Sequence, residues 1–206
     1  VVHILDRGTG RIVEREGPGK EDEMLMTAID EMWVSTHGVP RELIVDGETG
    51  IVKSHATTQY LARKGIKLHV RAKDQHARII ERRGALLRDT IHRIESQLKE
   101  EGLAGIPFCC ILAEAVFCGN ALLSINRSTP YNTVYGRVPA LLPSLIQSDS
   151  PEEARVRNPG LIRNTHRLRE ISIQAITACK QTCRPAFSNY GSFPGNRKLR
   201  RCRGRT

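Results

Sequence analysis

Asp46 and Glu81 are the residues whose type and placement could do chemistry. Asp46 closes the apolar run Leu43-Ile44-Val45, and Glu81 falls in the first turn of a long helical pattern, with 34 residues between them. Two carboxylates meeting at a strand end and a helix start offer hard oxygen ligands, which suit magnesium or manganese. A pair of such ions would stabilise both the attacking and the leaving oxygen of a phosphoryl transfer. A plainer reading stands beside it: a glutamate in a helix's first turn complements the helix dipole whether or not it binds anything.

The elements that must position this pair follow from periodicity and breakers. Leu43-Ile44-Val45 is too short for a helix and is bounded by breakers, so it reads as a buried strand. Asp46 and Gly47 sit at its carboxyl end, where open α/β sheets bind ligands. Residues 54–64 form a helix ended by Gly65, and Ile66 to Val70 alternates as a half-exposed strand. Residues 78–101 make the longest helix, with Ile80, Leu87, Ile91, Ile94 and Leu98 as its buried stripe and Gly84 allowing close approach to a neighbour. Upstream, residues 1–14 read as a β-hairpin turning at Arg7-Gly8-Thr9-Gly10, and residues 20–37 as a helix stopped by Gly38 and Pro40. Downstream, 108–125 is an apolar helix and 126–143 a packed loop. Helical periodicity returns over 161–183 through Leu168, Ile171, Ala175, Ile176 and Cys179. The order of elements is that of an α/β layered domain.

Charge is unevenly placed. Residues 1–103 hold 17 basic and 17 acidic side chains, so the whole net charge of +10 falls in the second half. A one-sided basic half points to a polyanion, most simply nucleic acid; the competing reading is a solvated tail. No apolar run is long enough to span a membrane. The six cysteines form no CxxC pair, which fits a reducing, intracellular compartment. Cys109, Cys110 and Cys118 read as small core hydrophobes on an apolar helix. Cys179 and Cys183, one helical turn apart, could hold one side of a metal site. Val1 begins mid-strand, which suggests a piece of a longer polyprotein.

Several stretches, in order, resemble the integrase catalytic core of retroviruses and LTR retrotransposons. Pro40-Arg41-Glu42-Leu43-Ile44-Val45-Asp46-Gly47 resembles the strand bearing the family's second catalytic aspartate. Gly65-Ile66-Lys67-Leu68-His69 is similar to its short strand after the second helix, and Glu81-Arg82-Arg83 to its glutamate followed by arginine. Ser128-Thr129-Pro130-Tyr131-Asn132 and Tyr135-Gly136-Arg137-Val138-Pro139 resemble the segment that closes those cores. Arg7-Gly8-Thr9-Gly10 falls where the family has its hairpin turn. The resemblance spans about residues 1–143.

The resemblance implies an RNase H-like layered sheet with flanking helices and a strand-transfer site of three carboxylates. Asp46 and Glu81 match the second and third. The first belongs on a strand before the hairpin; Asp6 ends the hairpin's first arm and matches a non-catalytic position. The first aspartate is therefore expected upstream of Val1, and with it the central strand of the sheet. Gly47-Glu48-Thr49-Gly50 and Ala77-Arg78 depart from the residues usual beside the second aspartate and the glutamate, which points to a decayed or unusual element.

The expected organisation is an amino-terminally truncated core-like domain over 1–143, a linker over 144–160, a separate helix over 161–183, and a basic disordered tail over 184–206. Asp46 and Glu81 are the candidate catalytic and metal-binding residues. Lys73, Arg78, Arg82 and Arg88, with Arg197, Lys198, Arg200 and Arg201 in the tail, are candidates for contact with DNA. The expected role is magnesium- or manganese-dependent DNA integration in a nuclear, homo-oligomeric parent protein. The alternatives are a catalytically inactive nucleic-acid-binding remnant, and an assembly module.

Overall fold

Strands β1 (Val2–Leu5) and β2 (Ile12–Arg15) pair antiparallel in the register Leu5↔Ile12 to Val2↔Arg15. The hairpin turn is built by Asp6, whose carboxylate accepts from the Gly8 and Thr9 amides, both at 3.1 Å, and from the Thr9 hydroxyl at 2.6 Å. Gly10 closes it at φ +73°, where a Cβ would fall onto Ile125 Cδ1. The computed structural model describes residues 1–17, 22–45, 54–71, 78–103, 105–125, 127–142 and 159–182.

Helix α1 (Asp22–Ile29) runs on through a π-helical turn, Asp30–Val34, and a last turn, Ser35–His37, before Gly38. Its buried Met26 and Ile29 pack under Ile4 of β1 and under Leu43 and Val45 of the next strand, β3 (Glu42–Val45). One helix therefore underlies two sheets. Helix α2 (His55–Lys64) is capped by the Ser54 hydroxyl, which accepts from the Thr57 amide, and ends at Gly65 in the left-handed region. It returns the chain to β4 (Lys67–Val70), which pairs parallel to β3 from Glu42↔Lys67 to Val45↔Val70. Among the described residues the strands form two separate two-stranded sheets, β1-β2 and β3-β4.

The largest core is helical. Helices α3 (Arg78–Glu100), α4 (Phe108–Leu122) and α6 (Pro159–Thr182) bury Ile91, Ile94 and Leu98, then Ile111, Leu112 and Ala115, then Leu168, Ile171 and Ala175 against one another. Leu86, Cys118, Leu123, Ile176 and Cys179 extend the same seam. Each fully buried isoleucine, such as Ile94 or Ile171, stabilises this seam by about 1.5–3 kcal/mol. The expectation of a separate helix over 161–183 is thus corrected. Its apolar stripe needs burial, and α3 and α4 offer two more, leaving a groove that a third helix fills. Ion pairs fix its register: Arg167 to Glu101 at 2.6 Å, and Arg169 to Glu114, with the Arg169 guanidinium 4.1 Å from the Phe117 ring centre.

The loop expected over 126–143 contains a short helix, α5 (Pro130–Tyr135). Thr129 caps it by accepting from the Asn132 amide at 3.2 Å, and proline at the first helical position is well tolerated. The expected core cysteines divide: Cys118 is buried, while Cys109 and Cys110 are exposed on the outer side of α4's first turn. No described helix is long and apolar enough to cross a membrane.

Candidate functional site

The parallel pair sets one end of the site. Val45 and Val70 lie opposite each other at the carboxyl ends of β3 and β4, and the Arg71 amide donates to the Val45 carbonyl at 3.0 Å. Asp46 follows Val45 directly in the chain, but it lies outside the described residues, as do Lys73, Arg197, Lys198, Arg200 and Arg201. Arg78 opens α3, and only its backbone is described.

Glu81 is exposed in the first turn of α3. Arg88 is exposed seven residues later, two turns on and so on the same helix face. Arg82 is exposed about a quarter turn round, while the next residue, Arg83, points inward and is 6% exposed. The structure therefore brings Glu81 and Arg88 together on one face.

What holds that face in place is the hairpin. The Arg83 Nη2 donates to the Gly10 carbonyl at 3.4 Å. Gly84 lies over β1, with its Cβ position 3.5 Å from His3 Cε1. On β2, Asn120 of α4 both donates to the Ile12 carbonyl at 2.7 Å and accepts from the Ile12 amide at 3.0 Å. The hairpin is thus clamped between α3 and α4, and the first turns of α3 are seated two and three residues after Glu81.

Under that seat is a titratable cluster that sequence reasoning missed. His3 and Glu14 are cross-strand partners, with His3 Nδ1 4.0 Å from a Glu14 carboxylate oxygen. The Glu14 side chain is 1% exposed, and neither of its oxygens accepts a hydrogen bond. Burial pushes its carboxyl up to about 7, against the pull of the Arg83 guanidinium and the Val1 amine. Burial also lowers His3, helped by the positive charges of that amine and Arg88. The signal was present in the hairpin: a turn closing at Leu5↔Ile12 forces His3 opposite Glu14 on the same face.

Asp6 is taken up by the hairpin turn through three hydrogen bonds. Its carboxylate is already committed there. Oxygen donors such as Glu81 and Asp46 suit a hard divalent ion. Among the described residues no three histidine, cysteine, aspartate or glutamate side chains come together to hold a metal. Cys179 lies buried, 2.9 Å from Asp89 Oδ2, and Cys183 lies outside the described residues. No family model matches the chain, and no curated protein matches it.

Proposed function

We propose that this chain is an integrase-like domain of a retroelement, whose complete parent protein joins DNA ends by metal-dependent strand transfer. One observation carries the reading. The position after Val45 falls at the carboxyl end of a parallel strand pair, while Glu81 stands exposed in the first turn of a helix clamped by the hairpin. A phosphoryl-transfer site of the proposed kind draws its carboxylates from a strand end and a helix start, which is what supports the reading.

In this reading magnesium or manganese, when bound, stabilises charge on the attacking and leaving oxygens. The chain's own residues place that chemistry. Asp46 and Glu81 supply oxygen ligands, Arg88 and Arg82 meet DNA phosphates beside Glu81, and Arg83 holds the helix that carries them. The same reading makes DNA the partner, the parent protein a homo-oligomer and the nucleus its place of action.

The test is strand transfer by the parent protein with its upstream strand. Asp46→Asn and Glu81→Gln should each abolish transfer and leave DNA affinity within about threefold. Transfer that persists after Asp46→Asn defeats the assignment.

A second reading, a DNA-binding remnant without transferase activity, is favoured by the split between the β1-β2 and β3-β4 sheets. An RNase H-like site needs a further carboxylate on a strand between such pairs, and Asp6 is engaged elsewhere. This reading predicts that the present chain binds duplex DNA with steep salt dependence but gives no strand-transfer product with either metal.

A further inference from the structure

The chain around Gly65 is rich in basic side chains. Residues 54–71 contain Arg63, Lys64, Lys67 and Arg71, and no aspartate or glutamate. The fold gathers part of this run with Arg41. The Lys67 amide donates to the Arg41 carbonyl at 3.0 Å, joining the starts of β3 and β4. The Gly65 and Ile66 amides donate to the Ala62 and Leu61 carbonyls at 3.1 and 2.9 Å, folding α2's last turn onto the same corner. Arg41, Arg63 and Lys67 are all exposed.

Two acids flank this corner. Asp30 takes Lys64 at 3.5 Å and the Tyr60 hydroxyl. Glu42, the cross-strand partner of Lys67, lies 3.7 Å from His69, a contact that is an ion pair only when the imidazole is protonated. Arg41, Arg63 and Lys67 form no ion pair within the described residues. Between the cations, Gly65 has no side chain, Ile66 is 6% exposed and Leu68 is half-buried. Val39, exposed two residues before Arg41, is a single apolar side chain rather than an apolar face, so the corner suits a polyanion better than a lipid bilayer.

We infer that Arg41, Arg63 and Lys67 form a phosphate-backbone contact for duplex DNA, at the end of the β3-β4 pair opposite Val45 and Val70. The inference rests on the DNA-binding reading above and adds a surface to it. The strands are four residues long, so the corner lies roughly 10 Å from the Val45 end along the strands. A duplex crossing both ends would be held at one and worked on at the other. The contact would carry no base information, because the phosphate oxygens it meets are the same whatever the base.

The experiment is a fluorescence-anisotropy titration of a labelled 20-base-pair duplex with the present chain, from 50 mM to 300 mM salt. It compares wild type with R41Q/R63Q/K67Q and with K99Q/R127Q/R137Q, which removes the same charge from other exposed positions. Loss of three phosphate contacts should flatten the log–log salt slope by about 2.7, equivalent to about 500-fold weaker binding at 0.1 M salt. The control variant should keep a slope close to wild type. If the corner variant keeps the wild-type slope, or the control loses as much, the corner is not a DNA contact although the DNA-binding reading stands. If wild type itself does not bind the duplex, that reading fails first. Binding of wild type to phosphatidylserine vesicles but not to DNA would overturn the inference in favour of a membrane surface.

Discussion

Replacing Glu14 by glutamine tests the seat beneath the candidate site. The Glu14 carboxyl rises from an ordinary 4.5 to about 7 in the fold. At about 1.4 kcal/mol for each tenfold change in proton affinity, keeping it ionised costs the folded state about 3 kcal/mol. Because the folded carboxyl is raised, its contribution is fully present below about pH 4.5 and is lost as the pH climbs through 7. Glutamine has nearly the same shape and does not titrate. Glu14→Gln should therefore match wild type near pH 4.5 and exceed it by about 3 kcal/mol at pH 8.5. His3 acts in the opposite sense: its lowered folded value removes stability as the pH falls below about 6.5, but it does so in both proteins. The difference between the two curves thus isolates Glu14. Urea denaturation at half-unit steps from pH 4.5 to 8.5 gives both curves. If they run parallel, Glu14 does not titrate as a buried group, and the clamped hairpin described here is wrong.

Three further substitutions probe the frame. Ile171 is fully buried between α3, α4 and α6; Ile171→Ala should cost about 2–5 kcal/mol in urea denaturation, whereas an undocked helix would give almost no loss. Asn120→Ala strips both hydrogen bonds from the Ile12 backbone and should lower stability by about 2–4 kcal/mol, with faster amide exchange in β2. Gly10→Ala places a Cβ on Ile125 at a positive φ, and a loss of more than about 1 kcal/mol in thermal melts is expected; an unchanged melting temperature would refute the turn geometry.

Most elements were legible because they obey one period each. The hairpin alternates around its turn, β3 is a short apolar run between breakers, β4 alternates after Gly65, and α2 ends at a glycine that adopts φ +69°. The stripe of α3 was only partly readable. Leu86, Thr90 and Arg83 are also buried, because the helix packs on the hairpin at its start and on α4 and α6 further along. A two-sided environment widens the buried face beyond what one apolar stripe shows. Helix α5 was hidden by Pro130, which reads as a breaker unless it is recognised as a helix start. The packing of α6 was hidden by the polar stretch before it, since separation along the chain says nothing about distance in space. Cys109 and Cys110 sit on a helix apolar enough on average to suggest burial, yet their side faces out. Of the candidate pair, sequence placed Glu81 in the right turn of the right helix. It gave no hint that a carboxylate near a strand's end, Glu14, would be the buried one.

The closure of the α3–α4 seam by α6 has a consequence for biosynthesis. The helical core joins positions near 90 and 112 to positions near 171, so its contact order is high and its completion waits on distant chain. At about 5–20 residues per second, the ribosome needs roughly 3–12 s to proceed from the end of α4 to the end of α6. During that interval Ile91, Ile94, Ile111 and Leu112 lack the cover that α6 supplies. The nascent chain would present them as a sticky apolar strip, and its yield in cells should depend on chaperones that occupy the strip until α6 emerges.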